Sequence, residues 1–258
     1  MEKTKGVIVQ SVARALEILQ CFSGNTIELG ISEIADAMEL SKSTVYGLVN
    51  TLVVKGYLEQ SQQSKKYRLG IKLFEFGNLV QKRMDLRNEA KVFCEILAEK
   101  YRNTIHLAAH YEGEIIYIDK VDIPDSVIAY SQVGKRAPMH CTGVGKAILA
   151  YLDTEYIENY VLNKPLNKMT ENTIINPQKL LEELQIIKER GYAIDDEEIE
   201  IGLRCVAAPI FNHKGYPVAA ISVSGPYRKM NDEFMKEVAK DVQSYVQQIS
   251  ERLGYSNK

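Results

Sequence analysis

Apolar residues recur at helical spacing through the first fifth of the chain. In VARALEILQCF, Val12, Leu16 and Leu19 fall on one face of a helix, and ISEIADAM and KSTVYGLVNTLVVKG repeat the same period. Residues 39–41 form a short connection between the last two segments, and Gly56 is a typical helix stop. Two short helices joined so closely predict a helix-turn-helix.

The pattern then changes to the alternation of apolar and polar residues that is typical of strands. YLEQ and KYRL flank the polar stretch SQQSK, which predicts a β-hairpin and, with the preceding helices, a winged helix within residues 1–70. Positive charge is concentrated on the second helix and the hairpin, at Lys42, Lys55, Lys65, Lys66 and Arg68. This segregation favours DNA binding. The alternatives are a winged helix used for protein contacts and a plain helical bundle, which the turn spacing fits less well.

A long helical pattern follows the hairpin, and a charged patch at residues 82–87 interrupts it. We predict a linker helix within residues 71–85 and the first helix of a second domain over residues 86–101. The second domain then spans residues 86–258.

Short alternating stretches dominate the rest of the chain. TIHLAAHY, GEIIYIDKV, VIAYSQV and RCVAAPIFNHKGYPVAAISVSG each predict a strand or a hairpin. Asn176, Pro177 and Gly191 mark the start and end of one helix, and Asn231 caps the last one. Hairpins surrounded by helices predict an α+β domain built on an antiparallel sheet.

Composition and charge narrow the class of protein only a little. The net charge of −2 over 258 residues provides no global basic field, although a small DNA-binding domain can carry its basic residues locally. The four cysteines form no Cys-x-x-Cys pair, which argues against a disulfide framework or a zinc ribbon. With no signal pattern and no apolar stretch of about 18 residues, we expect a cytoplasmic protein that does not contact membranes.

The segment HCTGVGKAILAYL contains a Gly-x-Gly-Lys that suggests a phosphate-binding loop. The motif G-x-x-x-x-G-K-[ST] is not met, because His140 occupies the place of its first glycine and Ala147 that of its hydroxyl residue. Thr142 predicts a helix cap that leaves the amides of residues 143–145 pointing outward as an anion site. The glycines would let a ligand approach the backbone, and tight packing of the helix on the sheet is the alternative. Lys146 is expected to be incidental.

A pair of serines adds a second polar feature. Ser222 and Ser224 stand two apart on a predicted strand, so both face one side with their hydroxyls about 7 Å apart. On an inner face such a pair needs hydrogen-bond partners or a ligand, whereas on an outer face the serines simply meet solvent.

Several segments together resemble the IclR family of bacterial transcriptional regulators over essentially the whole chain. They are SVARALEIL, ISEIADAMELSKSTVYGLVNTL, YRLGIKLFEFG, GKRAPMHCTGVGKAILA and GYAIDDEEIEIGLRCVAAPIFNHKGYPVAAISVSGP. The resemblance implies an α+β fold in which an N-terminal winged helix-turn-helix is joined by a linker helix to a GAF-like effector domain. It also implies a dimer or a dimer of dimers that binds a palindromic stretch of double-stranded operator DNA.

Within that family, ELGISEIA, SKSTVY, TIHLAA, IIYIDKVD and TENTI look most like repressors that respond to 2-keto-3-deoxygluconate. The resemblance therefore implies a repressor with a small carboxylate effector, such as a keto acid or a sugar acid. Candidate DNA contacts are Lys42, Ser43, Thr44, Tyr46 and Asn50 on the second helix and Lys65 and Lys66 on the hairpin. Family members often carry a basic residue where this chain has Gly47, which costs the helix about 0.5–1 kcal/mol relative to alanine and removes a DNA contact.

The resemblance also assigns effector contacts. They fall on Ala129, Ala137, Gly143, Val144, Asp195, Cys205, Ser222 and Ser224, with the two alanines as small walls that leave room for a polyhydroxylated acid. An acidic Asp195 beside a carboxylate ligand makes sense if it accepts hydrogen bonds from ligand hydroxyls or shares a proton with the ligand.

Two other chemistries compete with a ligand sensor. A thiol-dependent hydrolase would need Cys205 near His140, because the neighbours His140 and Cys141 rarely aim at each other. His106 and His110 share one face of a strand but stand about 13 Å apart, too far for a single metal ion. We therefore expect no enzyme activity, no catalytic or metal-binding residue and no cofactor. The remaining metal alternative combines His140, Cys141, Asp195 and Cys205, whose spacing gives no support.

Overall fold

In the computed structural model, the described residues are 7–22, 26–82, 85–123 and 131–256. The chain forms two compact units, Met1–Arg83 and Met84–Lys258. None of the helices within these described ranges combines the length and hydropathy needed to cross a lipid bilayer.

The first unit is a winged helix, as predicted. It contains α1 (Gln10–Gln20), α2 (Ile31–Met38), α3 (Lys42–Val54), β1 (Leu58–Gln60), β2 (Tyr67–Leu69) and α4 (Ile71–Lys82). Glu39 takes a left-handed conformation (φ 51°) that ends α2, and Ser41 caps α3 by accepting a hydrogen bond from the Thr44 amide at 3.3 Å. β1 and β2 pair antiparallel, and Leu29 adds an isolated bridge to Tyr67.

Buried apolar side chains from the three helices and the hairpin form the core of this unit. Val45 and Val49 lie one turn apart on α3 and are fully buried, together with Ile18 of α1 and Ile34 of α2. Because residues four apart share a helix face, Tyr46 between them is turned outward, whereas Leu48 still packs against the core.

The second unit is an antiparallel sheet with helices on both sides, which confirms the predicted α+β class. Its elements are α5 (Asp85–Tyr101), β3 (Thr104–Tyr111), β4 (Glu114–Val121), β5 (Arg136–Pro138), α6 (Gly143–Leu149), α7 (Thr154–Tyr156, continued by a π-helical turn, Ile157–Val161), α8 (Pro177–Arg190), β6 (Ala193–Asp196), β7 (Leu203–Phe211), β8 (Pro217–Pro226) and α9 (Asp232–Arg252). The strand order is β5-β4-β3-β8-β7-β6. The predicted caps Asn176 and Asn231 and the stop at Gly191 are all present.

One predicted strand lies largely outside the described residues. VIAYSQV spans residues 127–133, of which residues 127–130 are outside the described ranges and residues 131–133 are not a strand. The described edge strand next to β4 is β5, which pairs with it through Ala137 and Ile115.

Each face of the sheet has its own core because successive side chains on a strand point to opposite sides. Ile105 and Leu107 of β3 pack with α5 and α9 in one core. Ala108 of β3 packs with α6 and α8 in the other. His106 lies between Ile105 and Leu107 and therefore projects to the α6 side, where polar side chains gather.

Candidate functional site

The predicted DNA contacts of α3 share its outer face. Lys42, Ser43, Thr44, Tyr46 and Asn50 are all exposed, because the intervening Val45 and Val49 turn into the core. The hydroxyl oxygens of Ser43 and Thr44 each lie within 3.0 Å of the Ser41 hydroxyl, so the first turn of the helix is held in place.

The basic residues of the hairpin are not equivalent. Lys66 is half-buried, and its ammonium pairs with the Glu33 carboxylate of α2 at 2.9 Å, while Arg68 pairs with Glu59 at 2.5 Å. Among the described residues, Lys42 and Lys65 form no ion pair and are exposed. Lys65 therefore has no carboxylate partner among the described residues, whereas Lys66 already pairs with α2, and both stay predicted DNA contacts.

Gly47 lies in the middle of the exposed face of α3. A Cβ built there would have no atom within 4 Å, so no packing contact demands a glycine. Its carbonyl accepts a hydrogen bond from the Thr51 hydroxyl at 2.9 Å.

In the second unit, six predicted effector contacts line one cavity between α6 and the sheet. They are Gly143, Val144, Asp195, Cys205, Ser222 and Ser224. Ala137 does not line it, because β5 places this residue in the apolar core of the α6 side. Ala129 lies outside the described residues. The cavity volume is about 20 Å³, which is room for about one water molecule.

His106 connects the polar residues of this cavity, a role that the sequence analysis missed. Its Nδ1 lies 3.3 Å from the Ser222 hydroxyl and 3.2 Å from that of Ser224, and its Nε2 lies 2.6 Å from the Ser131 hydroxyl. Burial lowers the pKa of His106 to about 3, so the imidazole is neutral near pH 7. The sequence pattern places His106 only on the same strand face as His110, because the paired strand β8 lies more than a hundred residues away.

The two serine hydroxyls are closer than the strand spacing predicts. Their oxygens are 3.3 Å apart, within hydrogen-bond distance, whereas about 7 Å separates residues two apart along a strand. The sequence-based distance is wrong because both side chains lean toward His106 instead of standing upright. Both serines are buried, so the solvent-facing alternative is also excluded.

The glycines at the start of α6 allow close packing. Thr142 caps the helix as predicted, its hydroxyl accepting from the Gly145 amide at 3.2 Å. A Cβ on Gly143 would lie 2.5 Å from the Cys205 sulfur, and one on Gly145 would collide with the Met139 carbonyl. Protein atoms fill the space beside both glycines, as the tight-packing alternative expects. Gly143 also lines the cavity, and a ligand contact with its backbone stays a prediction.

Lys146 is not incidental, contrary to the sequence-based expectation. Its side chain is 1% exposed and forms a buried ion pair with Glu198. Glu198 also donates its backbone N–H to the Asp195 carboxylate at 2.9 Å. Within the described part of the chain, the second Glu198 carboxylate oxygen, Oε2, is buried without a hydrogen-bond partner.

Burial sets the protonation of the acidic groups here. It raises the pKa of Asp195 to about 7, with Lys146 acting in the opposite direction and Glu198 in the same one. The Cys205 thiol lies 3.8 Å from the Asp195 carboxylate, and burial raises the pKa of this thiol far above its usual value. A protonated, enclosed thiol is a poor nucleophile.

The geometry gives little support to the two alternatives, a thiol-dependent hydrolase and a metal site. His140 makes a hydrogen bond between its Nε2 and the Asn167 carbonyl at 3.0 Å, and burial raises the pKa of its neighbour Cys141 to about 12. In the ranges that the structure describes, no group of three or more His, Cys, Asp or Glu side chains is arranged to hold a metal ion.

A much larger groove of about 810 Å³ lies on the other side of the β6 edge. It is open and lined mainly by charged side chains that already pair with one another: Arg190 with Glu183 at 3.0 Å, and Arg204 with Asp196 at 2.7 Å and Asp232 at 2.9 Å. None of the predicted effector contacts lines it.

Family comparisons cover nearly the whole chain. The model described as "Bacterial transcriptional regulator IclR C-terminal" matches residues 78–251, and the IclR helix-turn-helix domain matches residues 11–62. The chain is 37% identical to the HTH-type transcriptional regulator XynR of Escherichia coli over 96% of its own length and 98% of that protein. It is 36% identical to the regulator KdgR of Dickeya chrysanthemi over 96% and 81% of the two chains.

Solved structures agree with these relatives. The IclR of Thermotoga maritima superposes with a TM-score of 0.76 at 36% identity, covering 95% of this chain and 99% of that one. An IclR homolog from Microbacterium hydrocarbonoxydans, complexed with 4-hydroxybenzoate, gives a TM-score of 0.83 at 26% identity over 94% and 98% of the two chains. The relatives matched in sequence over nearly the full chain are transcriptional regulators, not enzymes.

Proposed function

Because this chain belongs to the IclR family of bacterial transcriptional regulators, we propose that it is a repressor whose affinity for operator DNA is controlled by a small keto acid or sugar acid, such as 2-keto-3-deoxygluconate. The acid binds between α6 and the sheet. The observation that carries this proposal is the buried polar cluster of His106, Asp195, Ser222 and Ser224 on the inner face of the sheet. A purely structural core has no need of so many polar groups in one place.

The chemistry of the cluster suits a hydroxylated acid. Serine hydroxyls and a neutral imidazole both donate and accept hydrogen bonds, and Asp195 accepts from hydroxyls or donates when it is protonated. The ligand of the Microbacterium structure, 4-hydroxybenzoate, is also a small carboxylate that carries a hydroxyl group. This similarity supports an acid as the ligand class for the present chain.

The small size of the cavity is part of the proposed mechanism. The cavity has room for about one water molecule and not for a six-carbon acid, so residues that line it must move when the acid binds. A ligand that fits only one of two arrangements shifts the balance between them, and this shift is what a regulator needs.

DNA binding is assigned to the outer face of α3 and to Lys65. A dimer, or a dimer of dimers, places two such faces on a palindromic site. Exposed apolar side chains on the first unit support self-association: Val12 and Leu16 lie one turn apart on α1, and Ile71 and Phe74 one turn apart on α4.

A thermal-shift panel tests the ligand class and its site together. It contains 2-keto-3-deoxygluconate, gluconate, pyruvate and 4-hydroxybenzoate, with wild type, Ser222→Ala and Lys236→Ala. We expect at least one acid to raise the Tm of wild type and of Lys236→Ala, which alters only the large groove, and to have a smaller effect on Ser222→Ala. If no acid raises the Tm of any form, the chain is not a sensor of such acids. Loss of the effect in Lys236→Ala alone would move the site to the groove.

A further inference from the structure

The described residues that line the cavity offer a carboxylate ligand no fixed positive charge. Of the described residues that line it, His106 is the one basic side chain, and it is neutral. Lys120 approaches from β4, donating to the Ser131 carbonyl at 3.0 Å, but it pairs with Asp122 at 3.0 Å. An anion entering this site therefore meets hydrogen-bond donors rather than a counter-charge.

The groups around Asp195 carry an excess of negative charge when Asp195 is ionised. Lys146 of α6 faces it and is already neutralised by Glu198, which follows β6 in the chain. From β7, Cys205 is its direct partner across the strands, and Cys141 precedes α6. Burial raises the pKa of both thiols, so neither contributes charge near pH 7. Among the described residues, Lys146 is thus the one cation that acts on both buried carboxylates.

We propose that the acid binds as its anion together with one proton from solvent, which Asp195 then holds as an O–H donor to the ligand carboxylate. This inference rests on the proposed function, since it concerns the same cavity. The proton forms a new O–H bond on Asp195, and no bond of the ligand is broken. The resulting acid–carboxylate pair resembles two carboxyl groups that share one proton because both cannot ionise side by side.

The other arrangement, an ionised Asp195 that accepts hydrogen bonds from ligand hydroxyls, is less favourable. It would place the ligand carboxylate, Asp195 and Glu198 around the single cation Lys146 in a buried site. Uncompensated buried charge is costly, whereas taking up a proton near neutral pH costs little, since burial, its largest cause, raises the pKa of Asp195 to about 7.

The proposal sets the direction of the pH dependence. Below the pKa of Asp195 the empty cavity already holds the proton, so affinity for the anion does not change with pH. Above it, each bound anion must draw a proton from solvent, and affinity falls about tenfold per pH unit. From about pH 6.5 to about pH 8.5 the Kd should therefore rise about 25-fold.

Isothermal titration calorimetry measures the proton directly. The probe is 2-keto-3-deoxygluconate or the acid with the largest thermal shift, and its carboxyl group stays ionised throughout this range. Titrations in two buffers of different ionisation enthalpy give the number of protons taken up. We expect nearly one proton at about pH 8 and nearly none at about pH 6.

Two variants test whether Asp195 is the residue that takes up the proton when the acid binds. The side-chain amide of Asp195→Asn donates hydrogen bonds but does not ionise. Its oxygen can still accept a hydrogen bond from the Glu198 amide. It should therefore bind the acid without proton uptake and with a flat pH profile. Glu200→Gln removes an exposed carboxylate five residues away and should keep the wild-type profile.

The outcomes separate the two proposals. Binding by wild type without proton uptake at about pH 8 overturns the proton-linked mechanism and leaves the sensor intact. A wild-type pH profile in Asp195→Asn overturns the assignment to Asp195. No binding of any acid at either pH overturns the proposed function, and this inference falls with it.

Discussion

At the scale of single residues, two buried polar side chains, Lys146 and His106, make the contacts that organise this site. Lys146 lies in a Gly-x-Gly-Lys that only partly resembles a phosphate loop, and it pairs with Glu198, 52 residues later. From the sequence alone, His106 is considered only as a metal ligand paired with His110. In the structure it lies within hydrogen-bond distance of the hydroxyls of Ser222 and Ser224. Neither role follows from local sequence, because burial of a charge or an imidazole depends on partners brought in by the fold.

Gly47 gives a prediction at this scale. Its Cβ position is open and its backbone is helical, so Gly47→Ala should raise the free energy of unfolding of the first unit by about 0.5–1 kcal/mol. Urea denaturation followed by circular dichroism measures this change. Gly56→Ala is the matched control and should destabilise, because Gly56 has a positive φ of 79°. A loss of stability in Gly47→Ala would mean that the face of α3 is not open as described.

At the scale of elements, α6 packs closely on its neighbours because Gly143 and Gly145 in its first turn have no side chain. Gly143→Ala should destabilise the second unit by about 1–3 kcal/mol, because the new Cβ would meet the Cys205 sulfur. Removing that sulfur in Gly143→Ala/Cys205→Ala should recover part of the loss, and denaturation of all four forms gives the coupling. Purely additive effects would show that the close contact between α6 and β7 is absent.

A second prediction at this scale concerns the DNA contacts proposed for α3 and the hairpin. Lys42→Ala and Lys65→Ala should each weaken binding to a DNA fragment selected from a random pool and reduce the slope of log K against log salt by about one. Fluorescence anisotropy over a range of salt concentrations provides both numbers. Lys214→Ala, an exposed lysine of the second unit, should leave the slope unchanged. Unchanged slopes for Lys42→Ala and Lys65→Ala would remove these residues from the interface.

The elements themselves were largely predictable, whereas their contacts were not. Apolar periodicity located α3 and the hairpin, and cap residues located α8 and α9. The pairing of Lys66 with Glu33 joins segments that lie 33 residues apart, and the serine cluster needs strands β3 and β8 side by side. Periodicity reports which face of an element is buried but not which other element covers it, so these contacts required the structure.

At the scale of the whole molecule, a sensor and a DNA-binding domain occur in one chain. The family models match both parts, residues 11–62 and 78–251. Ligand can regulate DNA binding only if it binds the DNA-competent and DNA-incompetent arrangements unequally, and the same coupling must then act in both directions. An acid that changes the Kd for DNA is itself bound more tightly or more weakly when DNA is present.

The most direct measurement of this central claim is the Kd for the selected DNA with and without a saturating concentration of the acid that stabilises the protein. For wild type, we expect the acid to change the Kd for DNA about 5-fold or more. For Ser222→Ala, which keeps the DNA-binding unit intact, we expect a much smaller change at the same acid concentration. A Kd for DNA that stays constant in wild type, although the acid is bound, would contradict the assignment of this chain as an acid-controlled regulator.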